Sequence, residues 1–349
     1  MGKLYHGLGL LLVLLLLFFA PLLKYIPQTA GLARDFLFGA KNTLRSQDGR
    51  TNILILGLGG PKNEPSGLTD TIIFFSIDSR NQNPLLLSLP RDIWIPQMRA
   101  KLNTAYYYGN RAEGVGMEWA KGFVSEIVGQ PVHYTVVLSF EGFVKIVDLL
   151  GGINIDVERA FVDTRYPVPG KEGDPCGGDP QTLCRFETVS FGKGMQYFDG
   201  ATALKFARSR NAEGEEGTDF ARAARQQKVI LALKEKVLSP PLLFNPRKVS
   251  QMISFITQSL ETDIPRSHFG PLARLILNMD KGKLRLEIIA EENIKNGRQG
   301  FLVNPPISSQ YDKQWVLVPK AVSWEETQKW VVCLLTKGNC PIEETSNSR

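Results

Sequence analysis

Three short and nearly continuous apolar runs lie between residues 52 and 89. They read NILILGL (52–58), TIIFFSID (71–78) and PLLLSL (84–89). Runs of this length without polar alternation are typical of strands that are buried on both faces of a sheet. YTVVLSF (134–140) and INIDVE (153–158) predict further strands.

Segments with helical periodicity alternate with these runs. GMEWAKGFVSEIVG (116–129) and FEGFVKIVDLLGG (140–152) have apolar residues at helical spacing and end in glycine, which favours helix termination. Further along, the sequence predicts a helix from Asp219 to Val237, a strand at 284–290 and a last helix through Trp324 and Trp330. Strands interleaved with helices predict an α/β sandwich around a buried sheet.

The amino terminus contains an uncharged apolar stretch from Gly7 to Leu23. It is near the lower limit for a membrane span and slightly long for the core of a signal peptide. We expect an uncleaved single-pass anchor in the cell membrane, with cleavage near TAGLA (29–33) as the alternative; the rest of the chain is then extracytoplasmic. The predicted organisation is an anchor (1–25), a membrane-proximal connector (26–50), one domain (51–341) and a tail (342–349).

The four cysteines form two local pairs, Cys176 with Cys184 and Cys333 with Cys340. Local pairing in an exported chain predicts two short disulfide loops. A zinc site is the alternative, but neither pair has the two-residue spacing that zinc ligands favour. We interpret residues 163–187, which are rich in proline and glycine, as a long surface loop closed by its own disulfide.

The formal net charge is +6 and the isoelectric point is about 9.0. This mild excess of basic residues on an exported protein does not favour nucleic acid as a partner. Anionic lipid headgroups, phosphates and acidic wall polymers fit it better. The motifs HExxH, GxSxG and the phosphate-binding loop of nucleotide hydrolases are absent from the sequence.

Two opposite charges flank the second and third apolar runs. Asp70 stands at the head of one run, and Arg91 follows the other directly after Pro90. If the runs pair as an antiparallel hairpin, these two side chains meet at one edge of the sheet. Proline cannot continue a ladder, so it ends the strand there. A salt bridge that only closes the hairpin mouth is the alternative interpretation.

The predicted helix from Asp219 places polar groups on its buried face. Asp219, Arg222 and Gln226 share one stripe, which Ile230, Leu233 and Val237 continue. Buried polar groups need partners, and a helix amino terminus attracts anions. Arg225 lies at the edge of the stripe.

Arg208 and Arg210 alternate in a segment that we predict to be extended, so they point the same way. Together with Arg91, Arg222 and Arg225 they are expected to surround one anion. Guanidinium groups grip phosphate oxygens bidentately, which predicts a phosphate or diphosphate ligand. Asp70 fits such a site if it holds a divalent cation bridging to the phosphate. A buried network of ion pairs is the alternative.

At these residues the chain resembles the LytR-CpsA-Psr family of cell-envelope glycopolymer transferases. The resemblance covers roughly 50–237 and rests on TNILILGLG, GLTDTIIFFSID, LLLSLPRD, KLNTAYYYG (101–109), VDLLGGINIDV, FDGATALKFARSR and TDFARAARQQ. It implies a three-layer α/β/α sandwich with a central mixed sheet on one membrane anchor. It also implies transfer of a phospho-glycopolymer from a polyprenyl-diphosphate lipid to a peptidoglycan hydroxyl.

The resemblance assigns roles residue by residue. It implies that Asp70 holds Mg²⁺, that Asp219 orients the arginines, and that Asp92 is the base for the incoming hydroxyl. The diphosphate would lie on Arg91, Arg208, Arg210, Arg222, Arg225, Gln226 and Lys101.

One departure from the family pattern bears on catalysis. The family commonly has a second aspartate in a Gly-Val-Asp stretch after the first strand, where this chain reads Gly57-Leu58-Gly59. We attribute the missing carboxylate to Leu58. The departure leaves open a non-catalytic polyprenyl-phosphate receptor. A hydrolase that cleaves polyprenyl diphosphate is a further alternative, since it would share the site and use water in place of the sugar hydroxyl.

Overall fold

The computed structural model describes residues 44–59, 67–80, 83–171, 173–237, 260–280, 283–292 and 299–338, together with residues 239, 251, 255 and 340. The predicted anchor, the connector up to residue 43 and the tail lie outside these residues. Within the described ranges, no helix combines the length and the apolar character that a membrane crossing needs.

The strands in chain order are β1 Arg50–Leu58, β2 Thr69–Asp78, β3 Leu85–Ser88, β4 Trp94–Ile95, β5 Ala100–Lys101, β6 Tyr134–Ser139, β7 Ile153–Val157, β8 Phe161–Pro167, β9 Phe186–Phe191, β10 Gly194–Phe198, β11 Glu261–Thr262, β12 Arg285–Ile288, β13 Leu302–Val303 and β14 Val318–Pro319. The helices are α1 Ala105–Glu113, α2 Gly116–Val128, α3 Phe140–Leu149, α4 Gly200–Arg208, α5 Asp219–Val237, α6 Arg266–Leu277 and α7 Glu325–Thr336.

The largest sheet has six strands in the order β11-β6-β1-β2-β3-β12. Strand β2 pairs antiparallel with both β1 and β3, whereas β6 pairs in parallel with β1 and β12 pairs in parallel with β3. Neighbouring residues Ile73 and Phe74 of β2 are both 0% exposed, and they point to opposite faces of the sheet. The predicted α/β fold around a doubly buried sheet is therefore confirmed, and the sheet is mixed.

One face of this sheet packs against α2 and α7. Val124 of α2 and Val331 of α7 belong to the same buried cluster as Leu54 and Phe74 from the sheet. The bounds predicted for α2 are met to within one residue, and α7 contains Trp330 as predicted but begins directly after Trp324. Their apolar residues at helical spacing form the stripe that the sheet covers.

A second core lies around α3, α4 and α5. Four phenylalanine rings, Phe161, Phe191, Phe198 and Phe206, contact one another at centroid distances of 5.0–6.0 Å. This core also contains β7, which pairs with β10 in a sheet of two strands and does not join the central sheet.

The prediction of a single long loop over 163–187 was wrong at both ends. Phe161–Pro167 and Phe186–Phe191 pair as antiparallel strands. The first of them alternates buried and exposed residues over most of its length, which is the pattern of a half-buried strand. The proline and glycine content of the intervening residues obscured this alternation.

Both predicted disulfides are present. Cys176 joins Cys184 with Cα atoms 5.5 Å apart, and Cys333 joins Cys340 with Cα atoms 6.0 Å apart. The first closes the loop between β8 and β9, and the second ties the last turns of α7 to the segment that follows it.

Residues Ile264–Asn278, which contain α6, belong to a separate compact unit. Its Leu272 and Leu275 are buried.

Candidate active site

Asp70 and Arg91 meet at the edge of the central sheet. The Arg91 Nη1 atom lies 2.5 Å from Asp70 Oδ1. Strand β2 pairs with β3 as predicted, and the backbone N–H of Leu89 donates to Ile72 O before Pro90 ends the ladder. The hairpin inferred from sequence therefore brings the two charges together.

A β-bulge turns Asp70 toward this edge. Gly57 of β1 pairs with Thr71, and Leu58 pairs with Thr69, so Asp70 is the extra residue between two paired positions. A bulge bends its strand and re-aims the side chain of the unpaired residue.

The charges continue from Arg91 to Asp92 and Lys101. Arg91 Nε lies 3.4 Å from one Asp92 oxygen, and Lys101 Nζ lies 2.7 Å from the other. The four side chains Asp70, Arg91, Asp92 and Lys101, which we call the charge chain, alternate in sign and are 11–25% exposed. Because both oxygens of Asp92 face cations, the geometry supports a role in positioning Arg91 and Lys101. Its role as the base stays a prediction.

Backbone contacts fix the segment that carries Lys101. The N–H of Asn103 donates to Arg91 O, and Thr69 Oγ1 donates to Asn103 O, each with a donor–acceptor distance of 3.1 Å. The buried Oδ1 of Asn103 has no hydrogen-bond partner among the described residues. Sequence reasoning missed this residue, although its position two residues after Lys101 was a usable signal.

Arg208 and Arg210 do not alternate along an extended segment, so that prediction was wrong. Arg208 is the last residue of α4, which begins where Asp199 accepts a hydrogen bond from Thr202 N. Ala203, Phe206 and Ala207 are buried on one side of this helix. Their helical spacing outweighed the alternation of the two arginines.

The Arg208 guanidinium lies over the Phe140 ring, with Cζ 4.3 Å from the ring centroid. Arg210 follows on an exposed stretch of the chain. Stacking on an aromatic face holds a guanidinium flat and leaves its edge available to an anion.

Asp163 anchors the loop after α4, and sequence reasoning missed it. This fully buried carboxylate accepts hydrogen bonds from Ser209 Oγ (2.6 Å), Arg210 N (3.0 Å), Asn211 N (3.1 Å) and Arg165 N (2.9 Å). Burial raises the pKa of Asp163, but the four hydrogen bonds together lower it by more, so the pKa falls below its ordinary value. Its position inside a stretch interpreted as loop hid its role.

Helix α5 has the predicted bounds, but its buried face is turned by about one residue. The most buried stripe contains Arg222, Arg225, Val229 and Ala232, each less than 9% exposed. Gln226 and the predicted apolar positions Ile230, Leu233 and Val237 are half-buried. The side chain of Asp219 lies outside what the structure describes.

The contacts of Arg225 disagree with its predicted role on the diphosphate. Arg225 is 3% exposed, and its guanidinium donates to Phe206 O, to Ser209 O, and to the backbone carbonyl and the carboxylate of Glu216. Burial lowers the pKa of Arg225, and the Glu216 carboxylate opposes that effect. Arg225 therefore holds the loop that carries Arg210. Gln226 contacts the same segment, with Nε2 3.4 Å from Ala207 O.

Gln227 connects α5 to the sheet. It is 3% exposed and donates to Ser88 Oγ at 3.2 Å and to Glu287 O at 2.9 Å. Because Ser88 ends β3 three residues before Arg91, this contact relates the arginines of α5 to the charge chain. The structure thus presents the predicted residues as two groups linked through β3 and α5.

Gly59, not Leu58, is the residue that faces Asp70. The Leu58 side chain is 5% exposed and packs in the core. A Cβ atom added at Gly59 would lie 2.8 Å from Asp70 Oδ2. The attribution of the missing carboxylate to Leu58 was therefore wrong.

The side chains around Asp70 can supply only some of the ligands that a divalent cation needs. Asp70 offers one carboxylate, and Oδ1 already contacts Arg91. No group of three potential metal ligands in the described part of the chain includes Asp70. Mg²⁺ commonly takes one or two protein carboxylates and completes its shell with water and substrate phosphates. The residues fit a magnesium ion that a diphosphate helps to bind.

Comparison with protein families finds a match to the model described as the LytR_cpsA_psr family over residues 32–315. This range includes the charge chain, α4 and α5.

Two curated relatives share this region. One is the polyisoprenyl-teichoic acid–peptidoglycan teichoic acid transferase TagU of Oceanobacillus iheyensis, 26% identical over 267 residues, which are 75% of this chain and 74% of the relative. The other is the polyisoprenyl-teichoic acid–peptidoglycan teichoic acid transferase TagV of Bacillus subtilis. It is 26% identical over 204 residues, and the match spans 57% of this chain and 45% of TagV.

Solved structures share the fold. The crystal structure of B. subtilis TagV matches with a TM-score of 0.57 and 21% identity, and covers 85% of this chain and 100% of that chain. A structure of TagT bound to LIIa-WTA matches with a TM-score of 0.53 and 20% identity, over 85% of this chain and 95% of that chain. At these identities the likeness shows the α/β fold with its central mixed sheet.

Proposed function

Because the chain belongs to the LytR-CpsA-Psr family, we propose that it transfers a phospho-glycopolymer from a polyprenyl-diphosphate lipid carrier to a sugar hydroxyl of peptidoglycan. Relatives named as teichoic acid transferases support this reaction class. The observation that carries the proposal is the charge chain at the edge of the central sheet, where Arg91 and Lys101 are held by two carboxylates.

In this reaction the acceptor oxygen forms a new bond to the phosphorus that carries the glycopolymer. The bridging P–O bond breaks, and its electron pair leaves with polyprenyl phosphate. Negative charge therefore grows on the leaving group, and cationic donors that are already in place stabilise it without reorganisation. The hydroxyl proton goes to a base, for which Asp92 stays our candidate.

We assign the diphosphate to Arg91, Lys101, Arg208, Arg210, Arg222 and Gln226. Arg91 is the central member because its guanidinium is only partly covered and is aligned by Asp70 and Asp92 on either side. A planar guanidinium binds two phosphate oxygens at once. Arg225 is left out because its donors are taken by the protein.

Asp70 would hold a magnesium ion together with the diphosphate. The bound ion would supply further neutralisation of the phosphate charge. Asp70 Oδ1 contacts Arg91, so Oδ2, which faces Gly59, would be the oxygen that Asp70 offers to the ion.

The location of the protein follows the same proposal. Residues 1–25 would anchor a three-layer α/β/α domain at the outer face of the cell membrane, where a polyprenyl carrier presents its diphosphate. The disulfides at Cys176–Cys184 and Cys333–Cys340 support an extracytoplasmic domain, because such bonds persist in oxidising compartments.

Gly59 favours a second candidate function, binding of polyprenyl phosphate without transfer. The residue that faces Asp70 supplies no carboxylate. A cation held by one protein carboxylate binds more weakly than one held by two. The receptor would share every arginine of the transferase and differ in having no turnover.

The experiment that tests the proposal incubates the full-length protein with a polyprenyl-diphosphate oligosaccharide, peptidoglycan fragments and Mg²⁺. Mass spectrometry then detects a phosphodiester-linked product. Arg91→Ala is expected to lower the rate by about a hundredfold or more, the scale of losing one preorganised donor to developing charge. Arg159→Ala is the matched control, since this arginine forms an exposed ion pair with Glu215.

Product that is formed at equal rates by wild type and Arg91→Ala contradicts the assignment of the site. Carrier that stays bound and intact in a folded protein, with or without Mg²⁺, supports the receptor. Release of polyprenyl phosphate and free phospho-oligosaccharide without acceptor identifies the hydrolase.

A further inference from the structure

A broad cleft lies between α1, α2 and the turn that joins β4 to β5. Its volume is about 1080 Å³. We call it the α1–α2 groove. Its walls are formed by Gln97, Met98, Tyr108, Trp119, Phe123 and Glu126, with Arg111, Ala112 and Gly122 between them.

The groove combines aromatic faces with a polar rim. Tyr108 is 44% exposed, and the Trp119 and Phe123 rings meet edge to face at 6.4 Å. At the mouth, Gln97 Nε2 lies 3.3 Å from a carboxylate oxygen of Glu126. Aromatic side chains offer an apolar face, while the amide and the carboxylate offer both donors and acceptors.

Gly122 keeps the floor of the groove open. It lies inside α2, is exposed, and has no other atom within 4 Å of the position that a Cβ would occupy. Packing and backbone conformation therefore do not require glycine there. Glycine inside a helix is also less favourable than alanine by roughly 0.5–1 kcal/mol, so this position costs stability that the fold does not need to give up. A side chain at this position would extend into the groove.

We propose that the α1–α2 groove binds the saccharide chain of the acceptor. This inference rests on the proposed function and adds the place where its second substrate lies. Sugar rings present C–H faces that stack on aromatic rings, and hydroxyls at their edges that pair with amide and carboxylate groups. A lipid tail instead needs an enclosed apolar cavity, whereas this cleft is open to solvent and rimmed by three polar side chains.

The position of the groove relative to the charge chain suits this role. The turn with Gln97 and Met98 closes the β4–β5 hairpin, in which Trp94 pairs with Lys101. Two residues separate Met98 from Lys101, so their Cα atoms are at most about 11 Å apart. A glycan in the groove therefore presents hydroxyls near the cations that hold the diphosphate.

The test measures saccharide binding directly, with the full-length protein and chitohexaose, a soluble oligomer of N-acetylglucosamine, as the probe. Isothermal titration and tryptophan fluorescence follow binding without carrier or Mg²⁺. Trp119→Ala and Gly122→Leu are expected to weaken binding about tenfold, since they remove a stacking face or fill the floor. Gly122→Ala is the matched control, because a methyl group leaves most of the groove open and favours the helix.

The outcomes separate this proposal from the proposed function. Equal chitohexaose affinity in wild type and Gly122→Leu overturns the groove assignment, even if Arg91→Ala abolishes transfer. Binding that is lost in Gly122→Leu and Trp119→Ala but retained in Gly122→Ala and Arg91→Ala supports it, whether or not transfer is seen. Displacement of chitohexaose by vesicles of phosphatidylglycerol would assign the groove to lipid and overturn the saccharide proposal.

Discussion

Replacing Asp163 by asparagine tests how the arginine-bearing loop is held. The carboxylate accepts four hydrogen bonds, three of them on one oxygen from Ser209 and from the N–H groups of Arg210 and Asn211. An asparagine has one acceptor oxygen, so in either orientation its NH₂ group faces at least one backbone N–H. That donor loses its acceptor, and the remaining bonds lose their charge.

We expect Asp163→Asn to lower the free energy of unfolding by about 3 kcal/mol at pH 7. This follows from about 1–3 kcal/mol for a buried donor left unsatisfied, plus smaller losses where charged hydrogen bonds become neutral ones. Domains are typically stable by about 5–15 kcal/mol, so the variant is expected to fold. The loop with Arg210 would shift, and transfer or lipid binding should fall with it.

Chemical denaturation of wild type and variant measures the difference. Asp179→Asn is the matched control, because Asp179 also accepts backbone N–H bonds, from Gln181 and Leu183, but it is only half-buried and these bonds are exposed to water. The reasoning is refuted if the two variants lose equal stability and both keep full activity.

The pH dependence gives an independent check. The pKa of Asp163 is below its ordinary value in the folded state, so its contribution is present above the unfolded pKa of about 3.9 and is lost as pH falls through the folded pKa. The stability difference between wild type and Asp163→Asn should therefore shrink as the pH is lowered from about 4 through the folded pKa. A difference that is constant over this range contradicts an ionised Asp163.

Three further changes test other parts of the structure. Arg225→Ala should lower both the free energy of unfolding, by about 3 kcal/mol or more, and the activity, because it leaves the Glu216 carboxylate and two buried carbonyls without their donor. An unchanged denaturation curve would instead support binding of the diphosphate by Arg225. Gly59→Asp places a carboxylate beside Asp70 and should increase the rise in melting temperature that Mg²⁺ produces; no increase would show that the two carboxylates do not share an ion. Reducing Cys333–Cys340 should lower stability by about 2–3 kcal/mol, as read by denaturation of the Cys333→Ser/Cys340→Ser variant, and equal stability would show that α7 is held by packing alone.

The sequence by itself determined the elements whose signal is local. Continuous apolar runs marked β1, β2 and β3, and the short turn-rich link between the last two brought Asp70 and Arg91 together. Apolar residues at helical spacing marked α2, α3 and α5. The cysteine spacing indicated both disulfides. In each case neighbouring residues in the chain carry the pattern, so no distant contact is needed to read it.

Only the tertiary structure decided which polar groups hold distant parts of the fold together. The donors of Arg225 are taken by Phe206 O inside α4, by Ser209 O directly after it and by Glu216. Asp163 controls the loop after α4 from a strand some 46 residues earlier. Gly59, rather than Leu58, faces Asp70 because a bulge shifts the register by one residue. Hydrogen bonds between distant segments set these roles, and the spacing of residues along the chain does not encode them.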